Sequence, residues 1–161
     1  MSTTTTITDY KLAAKTLRQR DLRQGLYDEG AVLMDGVLVN LHGAEHTARR
    51  GLENKIFRRD VFLHYERDVF PSSLKATVDH YQTLGGGDLV ELGFRAMMNL
   101  TADFAGIDRS SENPAETDEL LALMRRFALG TTLSHSKDDR EKVRAQVRDA
   151  LGEFETRFLA P

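Results

Sequence analysis

The sequence predicts an all-α protein of about six helices. Residues that start and stop helices recur along the chain, whereas the alternation of apolar and polar residues that is typical of strands is nearly missing. A length of 161 residues matches one domain, since domains commonly hold about 100 to 200 residues. With 40% hydrophobic and 29% charged residues, the composition is that of an ordinary globular protein. We therefore expect a single helical domain over residues 1–161.

The first half of the chain predicts helices on both sides of an irregular segment. The predicted elements are a helix from about Asp9 to Gly25, a loop of extended character from Tyr27 to Leu41, a helix from about Ala44 to Phe57 and a helix that begins at Pro71. The first helix would turn four leucines inward, namely Leu12, Leu17, Leu22 and Leu26. Asp35-Gly36 is a turn dipeptide, so the loop can close into a short hairpin. Proline suits the first position of the fourth element.

A glycine run, Gly85 to Gly87, marks the sharpest break in the chain. Asp88 follows it and can accept hydrogen bonds from the open amides of a new helix, with Glu91 as its capping-box partner. This helix, from Leu89 to Phe104, has apolar residues around most of its circumference, which predicts packing on several sides. We expect its Met and Phe residues to be core.

Two further helices complete the predicted fold. Asn113 caps the first, Pro114 opens it and Gly130 closes it. The second follows a cap at Ser136 or Asp138. Its apolar residues recur at steps of three and four and are Val143, Val147, Leu151, Phe154 and Phe158.

Charge and cysteine content exclude several classes of function. Lys+Arg 22 against Asp+Glu 25 gives a net charge of −3, which argues against nucleic acid or an anionic membrane as partner. The absence of cysteine removes disulfides, thiol nucleophiles and thiolate metal ligands. The most apolar stretch, residues 31–41, is shorter than the ~20 residues of a membrane span. No leader pattern is present at Met1, so we expect a cytoplasmic protein.

The densest group of chemically able side chains begins at His42. His42, Glu45 and His46 match the H-x-x-E-H pattern of zinc peptidases, in which two imidazoles one helical turn apart share a metal. The match is short, and the helix is expected to start only at about Gly43 or Ala44, which would leave the first imidazole outside it. A zinc peptidase is therefore the remote alternative, and no metal site is expected.

His46 and Arg50 offer a second interpretation of the same segment. An imidazole and a guanidinium four residues apart share one helix face and form a clamp for a carboxylate or a phosphate. On spacing alone, a solvated basic face is the competing explanation.

The wider context of this pair resembles a known enzyme family. The stretch that begins at Val39, VNLHGAEHTARRGLENKIFRRD, resembles the helix C region of bacterial cytochrome P-450 monooxygenases, which carries an H-x-x-x-R pair. The resemblance continues in order along the chain. Residues 9–25 and 27–41 look like helix B and the B-C loop, GGGDLVELGFRAMMNLTADFAGID looks like helix E, and residues 113–130 and 138–158 look like helices F and G.

The resemblance implies roles for residues that match the family pattern. His46 and Arg50 would donate to a haem propionate, which makes haem the implied cofactor. A basic face that docks an acidic ferredoxin is implied for Arg49, Arg58 and Arg59, although a solvated charged face is an equal alternative. The implied substrate pocket would be lined by Val37, Leu38, Val39, Leu129, Thr132 and Leu133, for which ordinary packing is the alternative.

The departures from the family pattern limit these implications. The chain has no oxygen-activating helix, no E-x-x-R motif and no cysteine, so thiolate ligation of haem by this chain is not expected. We assign no catalytic residue and expect no turnover by the chain alone. It is expected to be a segment of a longer enzyme, one half of a split enzyme completed by a second chain, or a remnant without the chemistry. The rival function is a free-standing helical module that binds a small apolar ligand or a partner helix. Without the rest of the family's core, the apolar helix 89–104 would also favour a homo-oligomer.

Overall fold

The structure is a computed structural model, and it describes residues 4–19, 21–110 and 113–159. All regular structure in these residues is helical. The α-helices are α1 (Tyr10–Thr16), α2 (Ala31–Met34), α3 (Gly43–Glu53), α4 (Arg59–His64), α5 (Phe70–Thr83), α6 (Leu89–Ala105), α7 (Pro114–Thr131) and α8 (Arg140–Phe154). Short 3₁₀ turns cover Asp28–Gly30, Leu38–Asn40 and Leu133–His135, and π turns cover Tyr65–Val69 and Glu155–Leu159. The predicted all-α class is confirmed.

The first helix is much shorter than the predicted 9–25. Asp9 caps it, accepting a hydrogen bond of 2.8 Å from the Leu12 amide, but α1 ends at Thr16. The leucines predicted to face inward are exposed, Leu17 at 83%. A helix needs tertiary packing of its apolar face to extend, and α1 has no buried residue. Position 20 lies outside the described residues.

The predicted hairpin in residues 27–41 is wrong. The segment forms helical turns on either side of Asp35-Gly36, where Gly36 has a φ of 70°. Val32 and Leu33 pack against the core of α7 and α8, so these strand-prone residues are satisfied by helix contacts instead of a partner strand. Glu29 also connects the segment to α8, because its carboxylate accepts a hydrogen bond of 2.6 Å from Arg144.

The helices of the middle of the chain differ from prediction at their ends. Helix α3 begins at Gly43, as expected, and ends at Glu53 rather than at 57. Pro71 does not begin a new helix, because α4, the π turn and α5 follow one another without a break from Arg59 to Thr83. The wide π turn before Pro71 fits a residue that lacks an amide hydrogen.

Helix α6 begins as predicted but is packed on fewer sides than predicted. The carboxylate of Asp88 accepts hydrogen bonds from the amides of Val90 and Glu91 at 2.8 and 3.0 Å. Met98 and Ala102 are buried, whereas Phe94 and Met97 are 56% and 60% exposed. The helix therefore presents an apolar face that no described residue covers.

The core lies between α7, α8 and the elements packed on them. Asn113 caps α7 and Asp139, one residue after the predicted position, caps α8. One buried cluster joins Met98, Ala102 and Leu120, and a second joins Leu133, Val143 and Val147. These clusters hold α6, α7 and α8 together. Among the described residues, no helix combines the length and the apolar character that a bilayer crossing requires.

Candidate functional site

His46 and Arg50 lie on one face of α3. The backbone is α-helical from Gly43 to Glu53, so residues four apart are stacked with their Cβ atoms about 5 to 6 Å apart. His46 is half-buried and Arg50 is exposed. Within the described chain, neither side chain forms a hydrogen bond or an ion pair. Their donors are free to bind an anion.

Arg49, next to Arg50 in the chain, forms an ion pair that Arg50 does not form. Its Nε donates a hydrogen bond of 2.8 Å to the Glu53 carboxylate one turn further along α3. The two guanidiniums thus occupy different faces of the helix, one neutralised locally and the other not. The helix has no fully buried residue, and on the face that carries the pair Arg50 is exposed while His46 is half-buried.

The geometry around His42 does not suit the zinc-peptidase pattern. His42 precedes α3 in an extended conformation, with φ −146° and ψ 169°. Its imidazole is therefore off the helix face that carries His46, as the helix start predicted from the sequence implied. No group of three metal-ligating side chains is found in residues 4–19, 21–110 and 113–159.

The arginines predicted to dock a ferredoxin lie on the surface. Arg58 forms an ion pair of 2.9 Å with Asp60, and Arg49 is paired as described above. Arg59 is exposed and, in the described part of the chain, has no carboxylate partner. Among the described residues of this region, Arg50, Lys55 and Arg59 are the cations without a carboxylate partner.

The predicted pocket residues lie in two segments. Val37 and Val39 are exposed and Leu38 is half-buried, around the 3₁₀ turn that precedes α3. Leu129 is exposed, and the Thr132 hydroxyl donates a hydrogen bond of 3.0 Å to the Ala128 carbonyl. The residues just before the first segment pack on the end of α7, so both segments are linked through α2 to the same helix.

Leu133 differs from the other predicted pocket residues. Its side chain is fully buried, packed with Val143 and Val147. A residue in that position contributes to the core, and it can shape a pocket only through its backbone.

Sequence reasoning did not single out an apolar groove between α4 and α6. The groove has a volume of about 280 Å³, and half of its lining residues are aromatic, namely Phe57, Phe62, Tyr65 and Phe104. The rings of Tyr65 and Phe104 lie 4.9 Å apart, centroid to centroid. Apolar periodicity in the segment 56–65 was the available signal, but it does not distinguish a groove wall from core.

Comparisons with protein-family models, with curated proteins and with solved structures return no match to this chain.

Proposed function

We propose that this chain is the part of a cytochrome P-450-like monooxygenase that anchors the haem propionates and shapes the roof of the substrate pocket. The observation that carries the proposal is the pair His46 and Arg50 on one face of α3, with donors that no described residue uses. A propionate is a carboxylate, and a guanidinium next to an imidazole matches it in charge and in hydrogen bonding.

The strength of such an anchor follows from charge-assisted hydrogen bonding. Each bond to the carboxylate contributes about 1.5 to 3 kcal/mol in a partly dry site. Loss of the Arg50 guanidinium should therefore weaken porphyrin binding by about 10- to 100-fold. The half-buried position of His46 favours the upper part of this range over an anchor in open solvent.

In this proposal, haem contacts the chain through its propionate groups, and the chain supplies no ligand to the iron. When bound, haem supplies the iron that activates dioxygen for insertion of one oxygen atom into an organic substrate. The sequence has no cysteine, so an axial thiolate must come from polypeptide outside these 161 residues. We infer that the chain is inactive alone and that a second chain or a further segment, together with a ferredoxin-type electron donor, completes the enzyme.

A titration with ferric haem tests the proposal. The variant Arg50→Ala should raise the dissociation constant by at least tenfold, measured from the change in Soret absorbance. The matched control is Arg49→Ala, which changes the net charge equally on the same helix but removes a guanidinium already paired with Glu53. The control should change the constant less than twofold.

Two results would contradict the proposal. One is equal haem affinity in the wild-type protein and in Arg50→Ala. The other is a thiolate-type Soret band of the carbon monoxide complex, because the chain has no cysteine to produce it.

A helical module that binds a small apolar ligand is the second candidate function. It is favoured by the exposed face of α6 and by the aromatic groove between α4 and α6. Binding of an uncharged hydrophobic dye to the wild-type protein, unaffected by Arg50→Ala but lost in Phe104→Ser, would support this candidate.

A further inference from the structure

A polar cavity lies between α5, α6 and α7, apart from the face of α3 described above. Its volume is about 330 Å³. The buried polar or charged residues of the described chain all line it, namely Thr77, Arg95, Asn99 and Thr117. Buried polar groups are costly unless they are satisfied, so their concentration around one cavity indicates a built site.

Most of the polar groups around this cavity are satisfied by one another. Asn99 Nδ2 donates to the Thr77 hydroxyl at 3.0 Å, and that hydroxyl donates to the Ser73 carbonyl at 2.9 Å. Arg109 donates to the Asn99 side-chain oxygen at 3.2 and 3.1 Å, and forms an ion pair of 2.8 Å with Asp103. This network fixes the wall and leaves Arg109 with little capacity for a ligand.

Arg95 has donors that this network does not use. Its side chain is 6% exposed, and its one described carboxylate partner is Asp118, which it reaches through Nη2 and which is 63% exposed. A guanidinium has five N–H donors. The Nε and Nη1 groups have no acceptor among the described residues, and the side chain lines the cavity. Because both donors lie at an open cavity, either water or a ligand can accept hydrogen bonds from them.

Charge, shape and size together define the acceptor. Arg95 pairs with Asp118 and Arg109 pairs with Asp103, so these four side chains carry no net charge, and the unused Nε and Nη1 donors of Arg95 are what favours an acceptor. Beside the Asp103 and Asp118 carboxylates, a monoanion is repelled less than a dianion. The planar fork of a guanidinium matches a carboxylate. The volume is at the small end of the ~300 to 1,000 Å³ of ligand sites, and Ala76 and Pro114 add apolar surface.

We propose that this cavity binds a small organic monocarboxylate, with Arg95 as the residue that recognises the carboxylate. The apolar part of the ligand lies against Ala76 and Pro114. The site is separate from the propionate clamp on α3, and it holds whether or not the chain binds haem.

Isothermal titration calorimetry with sodium butyrate and sodium benzoate tests this proposal, with sodium phosphate and sodium chloride in parallel. The wild-type protein should bind a carboxylate saturably. The variant Arg95→Gln should weaken binding by at least about tenfold, the worth of one charge-assisted hydrogen bond. Arg148→Ala, which removes an exposed guanidinium of α8 that lines neither the cavity nor the face of α3, should leave the affinity unchanged.

A second variant covers the case in which Arg95→Gln does not fold. Ala76 is an exposed residue of α5 at the rim, so Ala76→Phe fills the cavity and retains Arg95. It should abolish butyrate binding while the thermal transition, followed by circular dichroism, stays cooperative. The proposal is overturned by the absence of saturable carboxylate binding, by butyrate affinity that Ala76→Phe does not change, or by tighter binding of phosphate than of butyrate.

Discussion

Gly30 is the position at which a single methyl group should test how the N-terminal segment packs on the core. Gly30 is buried, with φ −93° and ψ 20°, a right-handed conformation that alanine can adopt. A Cβ added there would lie well under 3.0 Å from the Gly130 carbonyl oxygen and 3.2 Å from its carbonyl carbon. The obstacle is backbone of α7, so the two segments must separate.

The expected cost of Gly30→Ala is about 1 to 3 kcal/mol, the range of an overpacked core. The matched control is Gly93→Ala within α6, where an added Cβ meets nothing within 4 Å. There the lower entropy of unfolded alanine should stabilise the protein by about 0.5 to 1 kcal/mol. The two substitutions add the same atom and should have opposite signs.

Urea denaturation followed by far-ultraviolet circular dichroism measures both effects. We expect a lower midpoint for Gly30→Ala and a higher midpoint for Gly93→Ala, with unchanged slopes. If Gly30→Ala is as stable as the wild-type protein, residues 28–34 do not pack on α7, and the description of this end of the molecule is wrong.

The remaining predictions concern the core, a helix cap and acid stability. Leu133→Ala should lower the free energy of unfolding by about 2 to 5 kcal/mol and Leu129→Ala, at an exposed position, by less than about 1; equal urea midpoints would contradict this. Asp88→Ala should cost about 0.5 to 2 kcal/mol by removing the α6 cap, and Asp88→Asn should recover most of it. Hydrogen bonds from the Arg23 guanidinium lower the pKa of Asp28, so its stabilisation is present above about pH 4 and is lost as the pH falls further. Asp28→Asn should therefore reduce the fall in melting temperature with acid, and an unchanged pH profile would refute this.

The sequence predicted best those helices whose starts carry a chemical signal. Asp88 and Asn113 cap α6 and α7 at the expected residues because a side-chain oxygen there replaces a missing backbone acceptor. The apolar spacing of Val143 and Val147 likewise placed the buried face of α8 correctly.

The errors arose where tertiary contacts decide the structure. The segment around Val32 and Leu33 is strand-prone by composition, but it lies on α7 and α8 as helical turns. The strand propensity of individual residues is a weaker effect than the burial of their side chains against these helices. The helix predicted over residues 9–25 is too long for a different reason. Its leucines pack on no part of the described core, so nothing stabilises the helix beyond Thr16.

One candidate site could be predicted from the sequence, and the other could not. His46 and Arg50 could be identified from spacing, since four residues in a helix always share a face. The cavity around Arg95 could not, because Thr77, Asn99 and Arg109 come from separate elements and their hydrogen bonds form only when α5 and α6 pack. The Met and Phe residues of helix 89–104 were expected in the core, but Phe94 and Met97 are exposed and only Met98 is buried among its methionines.

Carboxylate anchoring by α3 is tested most directly with an iron-free porphyrin. Binding of protoporphyrin IX and of its dimethyl ester, which lacks both negative charges, should be compared by fluorescence in the wild-type protein and in Arg50→Ala. We expect the dicarboxylate to bind the wild-type protein at least about tenfold more tightly than the ester, and this preference to disappear in Arg50→Ala. Equal affinity for the acid and the ester in the wild-type protein would contradict the clamp.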